Sequence, residues 1–114
     1  MQVIYYTNDA GRPIVKDWID NLEAGAQAKI YRDIDLLERY GMAFAGEFVT
    51  ISKADKKAGV YYLKINFGGC TYRIFFGVEG DAIILHGINK KSQDIPANDI
   101  KTAIKRFKNF VRKR

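Results

Sequence analysis

Two adjacent glycines, Gly68 and Gly69, separate the runs Val60–Phe67 and Cys70–Val78, both rich in Tyr, Phe and Ile. A Gly-Gly pair between two such runs marks a two-residue hairpin turn, because both central positions of that turn need positive φ. The turn sets the strand register: Phe67 faces Cys70, Asn66 faces Thr71, and Lys64 faces Arg73. Side chains alternate between the two faces of a strand. One face therefore carries Tyr61, Leu63, Ile65, Phe67, Cys70, Tyr72, Ile74 and Phe76 and must be the core. The other carries Tyr62, Lys64, Asn66, Thr71, Arg73 and Phe75 and is expected to be exposed.

Lys64 and Arg73 thus stand directly opposite each other, with no acidic residue on either strand between Val60 and Val78. Like charges in that position cost roughly 0.2–1 kcal/mol. An anion between them removes the cost, as does outward snorkelling of both stems. A third run, Ala82–Ile88, follows a turn at Glu79-Gly80. That turn predicts Phe76 opposite Ile83, Ile74 opposite Leu85, and Arg73 opposite His86. A slip of one residue would bury His86 and expose Ile83 and Leu85. His86 is the only histidine, and imidazole titrates near pH 6.5, which suits proton transfer. The run Asn89, Lys90, Lys91, Ser92, Gln93 extends the cationic face beyond the strand.

Elsewhere, Gln2–Thr7 reads as a short strand closed by the turn residues 8–11. Pro13 suits the first position of a helix in which Ile14, Trp18 and Leu22 recur every four residues, with Val15 and Ile19 beside them. Gly25 is expected to break it. A second helix carries Ile30, Ile34 and Leu37, with Gly41 as its left-handed C-cap. A break this short predicts an antiparallel helical hairpin. Residues 42–58, including the cationic stretch Lys53–Lys57, read as a surface loop with at most a short helix or strand. Pro96 opens a last helix whose buried stripe is Ile100, Ala103, Ile104, Phe107 and Val111. The order is β-α-α-β-β-β-α, a single α+β domain over residues 1–114 with a mainly antiparallel sheet.

The net charge of +6 is unevenly spread. Residues 1–46 balance to −2, residues 47–95 to +2, and residues 96–114 to +6. A concentrated basic strip suits a polyanion, because each neutralised phosphate releases a counterion. Lys101, Lys105 and Arg112 are its candidate contacts; a solvated helix face is the alternative. The single cysteine, Cys70, excludes an internal disulfide and a cysteine-based zinc cluster. With neither a signal-peptide core nor an apolar run of roughly 18 residues, the expected address is the cytoplasm and no membrane partner is expected.

The block from Gly59 to Pro96, "GVYYLKINFGGCTYRIFFGVEGDAIILHGINKKSQDIP", resembles the central part of RelE/HigB-type toxins, in particular the phage-derived HigB-like branch. That family runs Gly-x-x-Glu-Leu-Arg-Ile, then Tyr-Arg-Ile-Phe-Tyr, an apolar strand ending in His-Gly-Phe, and Lys-Lys-x-Gln-x-x-Pro before a basic helix. "LLERYG" at the end of the second helix also resembles it. The resemblance implies a RelE-like microbial RNase fold: a twisted antiparallel sheet with a helical hairpin and a C-terminal helix. It also implies the toxin of a type II toxin–antitoxin system, an mRNA interferase acting in the ribosomal A site and held in check by a cognate antitoxin, expected to be a helix-turn-helix protein. Lys64 stands at the arginine of Glu-Leu-Arg, Arg73 at that of Tyr-Arg-Ile, and Lys90, Lys91 and Gln93 on the Lys-Lys-x-Gln run. Tyr62 replaces the family's glutamate.

Residues and resemblance together point to endoribonuclease chemistry without metal or cofactor. The ribose 2′-OH attacks the adjacent phosphate, and fixed cations stabilise the charge that develops. Arg73 and Lys64 are the candidates for that phosphate. Lys90 and Lys91 would hold the backbone or assist the leaving oxygen, and His86 is the candidate general acid or base. Tyr62 and Phe75 are the candidate base-stacking residues. The rival readings are a catalytically inactive phage-derived module that binds nucleic acid, and a protein-interaction module that docks an acidic partner on its basic helix.

Overall fold

The computed structural model describes residues 1–91 and 93–114. In chain order the elements are β1 (Val3–Tyr5), α1 (Ile14–Asp20), α2 (Ala24–Ala45), β2 (Thr50–Asp55), β3 (Val60–Phe67), β4 (Cys70–Glu79), β5 (Asp81–Lys90) and α3 (Ala97–Lys113). The fold is α+β, with five strands in one mixed sheet of order β1-β5-β4-β3-β2. Strands β2 to β5 are antiparallel to their neighbours, and β1 pairs parallel to β5. This arrangement is compatible with a RelE-like fold.

The β3–β4 register is the one the turn dictates: Phe67 pairs with Cys70, Asn66 with Thr71 and Lys64 with Arg73. Both turn glycines have positive φ, 61° and 78°. The expected core face also forms. Leu63, Ile65, Tyr72, Ile74 and Phe76 pack with Val15 and Ile19 of α1 and with Ile30, Ile34 and Leu37 of α2.

Several expectations are corrected. The expected exposed face is itself covered. Val60, Phe75, Ile83, Leu85 and Ile88 pack with Ala103 and Phe107 of α3 in a second core, so the sheet lies between two helical layers. Phe107 seats against Gly77 of β4, where an added Cβ would come within 2.6 Å of its ring. Val111, expected in the same stripe, is exposed.

The β4–β5 register is shifted. Phe76 pairs with Ile84, Phe75 with His86, Ile74 with Gly87 and Arg73 with Ile88, with an irregularity between Phe75 and Phe76. A shift is tolerated because both faces are apolar: Ile83 and Leu85 enter the α3 core while Ala82 and Ile84 enter the other. The bulge turns consecutive residues Leu85 and His86 towards α3.

A short strand, β2, lies within residues 42–58, as the sequence reading allowed, and pairs with β3. The order is therefore β-α-α-β-β-β-β-α rather than one strand fewer. Among the helices, the break lies at residues 21–23, and Gly25 sits in the first turn of α2 with the Phe67 ring against it. Gly41 does take positive φ, 71°, but helix resumes beyond it to Ala45. Helix α1 lies on β5 and α2 on β3, and each contacts the sheet more than the other helix. No helix among the described residues is long and apolar enough to cross a membrane.

Candidate anion site and basic groove

Helix α3 begins beside His86 and runs towards the β4–β5 turn, where Arg114 reaches Asp81 and the Glu79 carbonyl. It therefore covers β4 and β5 from His86 to that turn. The opposite end of the same sheet face is left to polar residues. There Thr50 pairs with Lys64, Lys64 with Arg73, Asn66 with Thr71, and Thr71 with Lys90. The Thr71 hydroxyl donates to Asn66 Oδ1 at 2.9 Å.

Arg73 is the centre of this patch and is 2% exposed, so its guanidinium lies inside the protein. Its Nη2 donates to the Gln93 carbonyl at 3.1 Å. Its Nε and Nη1 are buried and have no hydrogen-bond partner among the described residues. Its guanidinium carbon lies 5.8 Å from the Tyr62 ring centroid, within cation–π range. Among the described residues no carboxylate forms an ion pair with Arg73, Lys64, Lys90 or Lys91. A buried guanidinium without a counter-charge is costly, and leaving its donors unpaired adds to the cost. An oxyanion accepting from Nε and Nη1 would supply both the charge and the missing acceptors, and it reaches them only where the Gln93 carbonyl lifts away, since both atoms are shielded from solvent in the free protein. Tyr62 thus packs beside the cation.

The remaining predicted site residues separate into three groups. Lys64 is half-buried opposite Arg73, and Lys90 and Lys91 are exposed on its flank. Register puts Lys64 and Lys90 on the Arg73 patch, while Lys91 lies just beyond the end of β5. Gln93 enters the patch through its backbone carbonyl, while its residue as a whole is exposed. Ser92 lies outside the described residues.

Phe75 and His86 correct the sequence reading. Phe75 is 0% exposed in the α3 core, so it has no free face for a base. His86 is not opposite Arg73 but opposite Phe75. Its Nε2 lies 2.7 Å from Asp99 Oδ1, and its Nδ1 lies 3.3 Å from Nη1 of Arg106, which also donates to the Leu85 carbonyl at 2.9 Å. Arg106 can only donate, so this network assigns the proton to Nε2 and makes Nδ1 the acceptor. Burial lowers the Arg106 pKa, but the group remains a cation. Both imidazole nitrogens are thus committed to α3, and His86 acts as a clasp. Asp99→Ala is expected to lower the unfolding free energy by about 1–2 kcal/mol through loss of that contact, measured by urea denaturation. An unchanged midpoint would show that the clasp contributes nothing.

Lys101, Lys105 and Arg112 do not join the Arg73 patch. They line a groove of about 900 Å³ between α3 and the segment that follows β1. No sequence signal distinguishes which flank of α3 a given lysine occupies. Among the described residues, no three His, Cys, Asp or Glu side chains gather where one metal ion would reach them.

Residues 17–108 match the family described as Phage derived protein Gp49-like (DUF891). The chain belongs to this family. No curated protein matches it. The match runs from within α1 to most of α3, so this Gp49-like chain carries Lys64, Arg73, Lys90 and Lys91 within the family's own extent.

Proposed function

We propose that this Gp49-like protein is the toxin of a type II toxin–antitoxin system, of the HigB-like branch of RelE-type toxins, and that it cleaves mRNA on the ribosome. The observation that carries the reading is Arg73: a buried guanidinium with two N–H groups unpaired and no counter-charge among the described residues, at the polar end of the sheet. The scissile phosphate is the missing anion.

In the step we infer, the 2′-oxygen bonds to phosphorus and the bond to the 5′-oxygen breaks. The 2′-hydroxyl loses its proton to solvent, and the 5′-oxygen gains one. The products are a 2′,3′-cyclic phosphate and a free 5′-hydroxyl. Arg73 and Lys64 hold the non-bridging oxygens as charge builds on them. Lys90 or Lys91 supplies the proton to the leaving oxygen or binds the neighbouring phosphate. Tyr62 is left as the stacking surface for a base. His86 is assigned no proton transfer here, because its nitrogens face Asp99 and Arg106 of α3 rather than the Arg73 patch. The natural inhibitor is a cognate antitoxin with a helix-turn-helix fold.

Controlled expression without an antitoxin tests this. Arrest of growth, with mRNA fragments bearing cyclic phosphate ends, is the expected result, and Lys64→Ala should weaken both. Intact mRNA and normal growth, with RNA still bound by the purified chain, would sink the enzyme reading in favour of an inactive binding module.

A further inference from the structure

The groove beside α3 has a chemistry of its own. Lys101, Lys105, Lys108 and Arg112 line it at intervals of four, three and four residues. That spacing places them on one helical stripe about 16 Å long. Of the other cations, Lys113 pairs with Asp9 at the groove's edge at 2.5 Å, Arg114 just past α3 pairs with Asp81 at 3.2 Å, and Arg106, which also lines the groove, is held by the Leu85 carbonyl and His86. Among the described residues Lys101, Lys105 and Lys108 form no ion pair, and Arg112 reaches only the Asn109 side-chain oxygen, at 2.7 Å.

The floor differs from the wall. Ile14, expected to pack inward with Trp18 and Leu22, lines the groove and belongs to neither hydrophobic core. Ile104 lines it as well, and the Tyr6 hydroxyl is tied to Asn109 at 2.8 Å. Tyr6 itself is 8% exposed, so the groove offers no aromatic face on which a nucleic-acid base could stack. A phosphate backbone would use the lysines but gain nothing from an apolar floor.

We propose that this groove binds an acidic amphipathic helical segment of a partner protein, separately from the anion site at Arg73. Carboxylates spaced three or four residues apart face the cationic stripe, and the segment's apolar edge covers Ile14 and Ile104. This is the helix-in-groove mode with charge complementarity added. The chemistry stands without the toxin reading; only the identification of the segment's source as the antitoxin rests on it.

The probe is a fluorescein-labelled 18-residue helical peptide with Glu on one face and Leu on the other, titrated against the full chain by anisotropy. A scrambled peptide of the same composition and a 12-nucleotide poly(U) RNA serve as comparators. The amphipathic peptide is expected to bind at least tenfold tighter than the scrambled one. The triple variant Lys101→Glu, Lys105→Glu, Lys108→Glu should weaken it at least tenfold, and Ile14→Ser about fivefold, with urea midpoints near that of the parent chain. Equal binding of the two peptides, or amphipathic binding indifferent to both variants, overturns the proposal. So does a result in which the triple variant loses poly(U) but keeps the peptide, which assigns the stripe to RNA. Peptide binding that follows the groove variants in a chain without RNase activity upholds the groove and removes the toxin reading, so the two fail separately.

Discussion

Arg73→Met is expected to reduce mRNA cleavage by about 10²–10³-fold, the usual loss when one fixed donor to a developing oxyanion is removed, while making the protein more stable. The two effects have one origin. In the free protein Arg73 is 2% exposed, and among the described residues its guanidinium has no counter-charge and only Nη2 is hydrogen-bonded. Methionine fills similar space without a charge or an unpaired donor. Replacing buried ionic groups with apolar ones of similar volume is often neutral or stabilising, by on the order of 1–4 kcal/mol. The neighbours favour that outcome, since Ile88 pairs with Arg73 across β5 and belongs to the second core. Cleavage is read from fragment ends in expressing cells, and stability from the urea midpoint of the purified chain. A variant that cleaves normally and melts earlier would mean that Arg73 is a structural cation, and the anion site would be lost with it.

Much of this geometry was readable from the hairpin alone. A Gly-Gly turn admits one register for its flanking strands, and that register already placed Lys64 opposite Arg73. The helices that cover the first core followed from periodicity, because Val15, Ile19, Ile30, Ile34 and Leu37 recur at helical spacing. What failed was the inference that a face carrying Lys64 and Arg73 must be open to water. Two signals opposed it. Ala82-Ile83-Ile84-Leu85 is an unbroken apolar run, the pattern of a strand buried on both faces rather than one. The apolar stripe of α3 also needed a surface to cover, and the remaining sheet face was the one available.

The misplacement of His86 follows from the same cause. Register is strongly specified only where a slip would expose apolar side chains. In β5 a slip moves Ile83 and Leu85 from one core to another, so the sequence pattern cannot select between the two arrangements. The bulge that brings His86 to Asp99 and Arg106 is flanked by Gly77 and Gly87, and a glycine inside a strand is a bulge signal that apolar alternation alone does not weigh. The split of the basic residues was unreadable for a different reason. A lysine's position on a helix gives its angle about the axis, but which neighbour lies at that angle depends on how α3 sits. Ile14 carried a hint. A helix as short as α1 turns only one stripe inward, and Val15, Trp18 and Ile19 fill it.

Phe107→Ala is expected to have the largest effect on stability, a loss of about 3–5 kcal/mol, typical for truncating a buried aromatic ring. The ring is 8% exposed, rests against Gly77 and approaches Gly59 at the far end of β3. It joins α3 to the sheet near the middle of the helix, beside Arg106, while Asp99 holds His86 at the N-terminal end. For a chain of this size the loss corresponds to a fall in Tm of roughly ten degrees or more. Gly77→Val attacks the same contact from the sheet, since its first added carbon would already lie 2.6 Å from the ring; overpacking of this kind costs about 1–3 kcal/mol. Both substitutions leave every residue of the Arg73 patch in place. Yet the segment carrying the Gln93 carbonyl to Arg73 spans from β5 to α3, so loosening the helix frees the roof of the anion site. Phosphate affinity measured well below the variants' Tm should therefore change along with stability. A stable Phe107→Ala protein, less than about 1 kcal/mol from the parent, would mean that α3 is held by its polar clasp rather than by this ring.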